Sequence, residues 1–113
     1  MATSVRIVAE HAGDKNKPKD TRRKIVFDAI LLENHLKQQR CFGVAFDIVE
    51  GSIQTWPFLL DPPESGRSSK LNFGSLTDPQ FEAINIFEKK VEIGELFTRK
   101  TADDIFTYRI AKV

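Results

Sequence analysis

Cysteine is nearly absent from this 113-residue chain: Cys41 stands alone, so no intramolecular disulfide can form. Histidine is almost as scarce. His11 and His35 are the only two, and neither belongs to the His/Cys spacing that a zinc site draws on. No metal and no cofactor is therefore expected. A pairing of His35 with Cys41 as an imidazole–thiolate couple would need the chain between them to turn back on itself. An exposed His35 and a small, buried, inert Cys41 explain the same residues more simply.

Long apolar runs are missing as well. Nothing approaches the roughly 20 residues that cross a bilayer, so no membrane contact is expected. Arg6, Glu10 and Asp14 interrupt the N-terminal stretch where a signal peptide would carry its apolar core. The expected compartment is the cytosol. Phosphate-cradling glycine loops of the G-x-x-x-x-G-K-[ST] or G-x-G-x-x-G type are absent. Ser65, Ser68 and Ser69 lack the pattern of a nucleophile elbow. Asp28, Glu33, Asp47 and Glu50 show no spacing that pairs two carboxylates. Catalysis is unsupported by any of these residues.

What the chain does have is apolar content enough for one core: 41% apolar residues, among them nine phenylalanines spread from Phe27 to Phe106. That spread indicates one domain over residues 1–113. The net charge of +1 conceals a polarity. Residues 15–24 hold six bases against one acid, which leaves the remainder of the chain acidic.

Ser4–Glu10 alternates in the manner of a strand, with Val5, Ile7 and Ala9 on one face. Residues 11–21 carry Gly13, Asp14, Asn16, Pro18 and Asp20 and no large apolar residue, which describes a flexible basic loop. Arg22–Arg40 reads in two ways. Ile25, Ala29, Leu32 and Leu36 share a helical face. Alternatively, Lys24–Phe27 forms a strand that pairs with Ser4–Glu10 and leaves the basic loop at a hairpin tip. The helix is the reading adopted.

Phe42–Val49 and Ile53–Leu60 are expected to form a hairpin through Glu50-Gly51-Ser52. Val44, Phe46 and Ile48 share one face of the first strand, with Ala45 and Asp47 on the other. Pro57 cannot donate to a ladder, so the second strand is expected to be an edge or to carry a bulge. Thr77-Asp78-Pro79 has the composition of a helix start, followed by a stripe of Phe81, Ile84, Phe87 and Val91 that ends at Gly94. Glu95–Lys100 and Asp104–Val113 close the chain as a second hairpin. The expected class is α+β: a mostly antiparallel sheet with two helices on one face, in the order of a split β-α-β (ferredoxin-like) arrangement with an extra C-terminal strand.

Three functional readings follow. The first is a non-catalytic binding or accessory protein, joined to a protein partner or a second copy at a sheet edge. Its interface candidates are Trp56, Phe58, Phe106, Tyr108 and Ile110. The second is nucleic-acid or polyanion binding through Lys15, Lys17, Lys19, Arg22, Arg23 and Lys24, with Trp56 stacking on a base. Phe42, Phe46, Trp56 and Phe58 are the aromatic candidates for such a platform. Each also has a plainer explanation, a solvated loop for the bases and a core for the rings. The third is an enzyme or small enzyme subunit with a pocket near loop 61–70.

Overall fold

Ile25, Phe27 and Ala29 are buried while Val26, Asp28 and Ile30 turn outward, which is the period of a strand. The computed structural model describes residues 2–14, 17–65, 67–74, 77 and 80–113. They form nine strands: β1 (Ala2–His11), β2 (Asp20–Leu32), β3 (His35–Leu36), β4 (Cys41–Val49), β5 (Ser52–Asp61), β6 (Ser69–Asn72), β7 (Phe81–Ile84), β8 (Leu96–Lys100) and β9 (Ile105–Lys112). The expected α+β class is overturned. The protein is nearly all β, a closed eight-stranded antiparallel barrel.

Neither expected helix forms, and each failure has a local cause. In Arg22–Arg40 the apolar residues fit periods of two and of 3.6 equally well over Ile25–Ala29. The decision falls at Glu33 and Asn34, whose φ angles of 53° and 71° make a two-residue turn with both residues left-handed. That turn sends β3 back along β2, with Leu32 opposite His35. Leu32, assigned to the buried helical stripe, is 47% exposed.

In the second case Ile84, Phe87 and Val91 are buried as the stripe requires, but Phe81–Ile84 is extended and paired with both β6 and β8. Only a 3-10 turn, Ile86–Glu88, follows it. Asp78 and Pro79, read as the helix start, lie outside the described residues.

Eight strands run up and down in chain order, and β1 closes the ring by pairing with both β2 and β9. β3 lies outside this circuit, against the end of β2. The pairing of β1 with β2 over Ala2–Glu10 is the alternative the sequence offered for Lys24–Phe27, and at its end His11 stands opposite Asp20. The β4–β5 hairpin also stands where the sequence put it. Glu50 and Gly51 form its turn at φ 51° and 80°, a conformation Gly51 adopts without strain.

Inside the barrel lie Ile7, Ile25, Phe27, Leu60, Leu71, Ile84, Phe97, Tyr108 and Ile110, each at most 2% exposed. Burial of a side chain of this size stabilises the fold by about 1.5–3 kcal/mol. Phe97 and Tyr108 stack at 5.6 Å between centroids. Across from them β4 contributes Cys41, Gly43 and Ala45, which are small. A Cβ on Gly43 would stand 2.6 Å from Phe58 Cζ and closer still to the backbone of Val26. The absence of a side chain there lets β2 and β5 bring Phe27 and Phe58 into the centre.

Candidate interaction surface

Because the small residues of β4 point inward, its large ones point out. The register aligns Val8, Val26, Val44 and Pro57 in one row across β1, β2, β4 and β5. A second row holds Arg6, Asp28, Phe42 and Leu59, and a third holds Glu10, Lys24, Phe46 and Thr55. The result is an apolar outer sheet face in which Phe42 is 66% exposed. A groove of about 400 Å³ runs along it between Arg6 and Phe46, walled by Phe42.

The margin of this face carries both signs of charge. Arg6 binds Asp28 through two hydrogen bonds of 2.7 and 3.0 Å. The Asp28 carboxyl is held below the ordinary carboxylate range chiefly by that bond. Glu10 stands opposite Lys24, whose ammonium lies 5.0 Å from the centre of the Phe46 ring. The face is therefore apolar in the middle and charge-balanced at the rim.

The aromatic residues singled out from the sequence divide between the two sides of the sheet. Phe42 and Phe46 are outside. Trp56 and Phe58 lie opposite Ala45 and Gly43, on the inner side. Phe58 is buried against Phe73, while Trp56, further along, is 45% exposed. Phe106, Tyr108 and Ile110 all point into the barrel, and β9 is paired on both edges. The structure thus leaves Trp56 as the exposed member of the five interface candidates.

The basic segment is dispersed as well. Lys15 lies outside the described residues. Lys17 donates to Asp104, on the turn between β8 and β9, and that bond lowers the Asp104 carboxyl below its usual range. Arg22 grips Asp20 at 2.9 and 3.1 Å. Arg23 turns to the barrel end, donating to Asp47 at 2.8 Å and lying 4.4 Å over the Phe106 ring. Lys19 is exposed and Lys24 belongs to the outer face. Three of the six bases already hold carboxylates.

A polar network that no linear spacing announced fills the same end of the barrel. Arg99 is 4% exposed. It donates to both Asp47 oxygens at 2.8 and 3.0 Å, to Glu82 at 2.5 Å and to the Tyr108 hydroxyl at 3.1 Å. Burial works against its charge, but the bonds to Asp47 and Glu82 outweigh that and raise its pKa above the ordinary value. Beside it His11 lies edge-on to Phe106 and Tyr108, with Nε2 3.4 Å from Asp14. Here two acids face two arginines, which do not give up protons. This arrangement ties β2, β4, β7, β8 and β9 together at that end of the barrel.

Two grooves flank loop 61–70, of about 340 and 280 Å³. The smaller is lined by ion-paired and prolyl residues, with Arg40 donating to Asp61 at 2.6 Å. Neither contains a histidine or cysteine among the described residues. Among the described residues no group of three His, Cys, Asp or Glu converges as a metal site. Cys41 is buried and its thiol pKa is pushed up by that burial.

One signal in the sequence could have revealed the outer face. The run Cys41-Phe42-Gly43-Val44-Ala45-Phe46 is apolar at every position, as in strands covered on both sides. Compared with protein-family models, with curated proteins and with solved structures, the chain matches none.

Proposed function

We infer that this protein is a non-catalytic binding module whose partner is another polypeptide, held on the β2–β4–β5 side of the barrel. The observation that carries this reading is Phe42, two-thirds exposed on an apolar sheet face, between the Val26–Val44 row and the Arg6–Asp28 pair. A packed barrel needs no apolar residues there, and contiguous apolar surface rimmed by polar groups marks interaction sites. The balanced rim of Arg6, Asp28, Glu10 and Lys24 favours a protein over a polyanion, to which Glu10 and Asp28 would be repulsive. The carboxylate partners of Lys17, Arg22 and Arg23 weigh the same way.

Affinity capture with wild-type and Phe42→Lys baits tests the reading. A polypeptide retained by the wild type and lost with the variant, at unchanged circular dichroism, is the expected outcome. Identical captured sets would overturn it. Nucleic acid retained at low salt by both baits would move the function to the basic segment.

A further inference from the structure

The outer face changes character at the row of Arg6, Asp28 and Phe42. On the Phe46 side of that row lies the apolar groove already described. On the other side a second groove, of about 630 Å³, opens between Ser4, Ile30, Gln39 and Arg40. The pairing explains it. β2 runs beside β4 only as far as Asp28 opposite Phe42, and beyond that point Leu31 and Leu32 pair with β3 instead. The strands part, and the fork between them is the second groove. Arg6, Asp28 and Phe42 wall both grooves, so the two are continuous across that row.

Beyond the Arg6–Asp28 pair the balance of charge ends. Two residues before Phe42, Arg40 donates to Asp61 through its Nε alone, at 2.6 Å, and its side chain is 45% exposed. Its two terminal nitrogens hold no other hydrogen bond among the described residues. Asp61 in turn stands opposite Lys70, so one acid serves two bases. Asp28 is already engaged by two nitrogens of Arg6. The second groove therefore offers free donors and positive charge where the first offers apolar walls.

We propose that the partner docks an extended segment that sets a carboxylate on Arg40 and an apolar side chain between Phe42 and Phe46. This rests on the reading of the β2–β4–β5 side as the contact surface, and it names what the partner presents there. The free edge of a guanidinium matches a carboxylate through two parallel bonds. Strand geometry sets the spacing. Arg40 and Val44 are four residues apart, about 14 Å at the rise of a strand. A segment extended along β4 covers that distance in four residues of its own, and alternation turns both ends of the stretch toward the sheet. The acid and the apolar residue are therefore four positions apart, with the residue midway between them over Phe42. A single acid is the match, because a run of acids would meet Asp28 in the dividing row and Glu10 beside Lys24.

Selection of phage-displayed random dodecapeptides on the full chain tests the match. Enriched peptides should carry one acid four positions from an aliphatic or aromatic residue. Arg40→Gln removes the charge and should weaken these peptides about 10- to 100-fold in fluorescence anisotropy, at unchanged circular dichroism. Reselection on Arg40→Glu should exchange the acid for a base. Enriched peptides that lack the acid, or that bind Arg40→Gln as well as the wild type, would overturn the proposal; if Phe42→Lys still releases them, the apolar face stands. Peptides released by neither substitution would overturn the face as well. A library that yields no enriched peptide would overturn the docked segment, and capture with the Phe42→Lys bait would then judge the face on its own.

Discussion

Strands β4 and β9 are built from opposite halves of the same pattern. β9 turns Phe106, Tyr108 and Ile110 into the barrel and shows Thr107 and Arg109 to the outside. β4 turns Cys41, Gly43, Ala45 and Asp47 inward and shows Phe42, Val44, Phe46 and Ile48. A barrel interior has a fixed volume to fill at near-crystalline density. Large residues from β2, β5, β8 and β9 take most of it, and β4 can supply only what still fits. Its larger residues are displaced outward, where they form the candidate interaction surface. The side of a strand with the greater hydrophobicity is therefore not always the side that faces the core.

The largest test of this contrast removes one ring from each strand. Phe106→Ala should cost about 3–5 kcal/mol in urea denaturation, as for other buried aromatic truncations. Phe42→Ala should stay within about 0.5 kcal/mol, as for other surface substitutions. Equal losses would mean that Phe42 is covered in the folded chain, and the contrast would dissolve.

A smaller effect should come from adding mass where β4 has none. Gly43→Ala places a methyl against Phe58 and the backbone of Val26, an overpacking that costs about 1–3 kcal/mol. Stability unchanged by this substitution would show that the small inner residues of β4 are not dictated by the rings opposite.

An effect of similar size concerns the polar end of the barrel. Tyr108→Phe deletes the hydroxyl that accepts from Arg99 and should cost about 1.5–3 kcal/mol at neutral pH, the range for bonds to charged groups. Burial raises the Tyr108 phenol above its ordinary pKa of 10.0. The folded chain thus keeps a proton that the unfolded chain releases. That stabilising contribution is whole below the unfolded value and is lost as pH rises through the folded one. Thermal melts from pH 9 to 11 should fall more steeply for the wild type than for Tyr108→Phe. Parallel slopes would remove Tyr108 as the source.

Much of the strand content was legible. β1, the β4–β5 hairpin with its Glu50-Gly51 turn, and the terminal β8–β9 hairpin all follow from alternation and turn chemistry. Pro57 suggested an edge or a bulge for β5, whereas β5 lies between β4 and β6 in the ring and pairs with β6 at Leu59–Asp61. The two expected helices failed for a shared reason. Over five or six residues an apolar spacing of three and four overlaps a spacing of two, and the tie is broken by pairing with strands far away in the chain. For Lys24–Phe27 the partners are Ile7–Glu10 on one side and Gly43–Phe46 on the other. For Phe81–Ile84 they are Ser69–Asn72 and Arg99–Lys100.

The candidate surface was legible only in fragments. Phe42 and Phe46 stood out as aromatic positions, but their neighbours Val26 and Pro57 come from other strands and join them only through register. The same holds for Asp47 and Arg99, which are 52 positions apart in the chain and share two hydrogen bonds.

The sequence by itself determined the Glu50-Gly51 turn and the alternation of β1, β4 and β9, because these depend on neighbouring residues alone. Only the tertiary structure decided that the sheet closes into a barrel, which side of β4 is the inside, and that Arg22, Arg23 and Lys17 go to Asp20, Asp47 and Asp104. Those outcomes depend on how much volume the other strands leave and on which charges meet across the ring. Neither quantity exists until the strands are brought together.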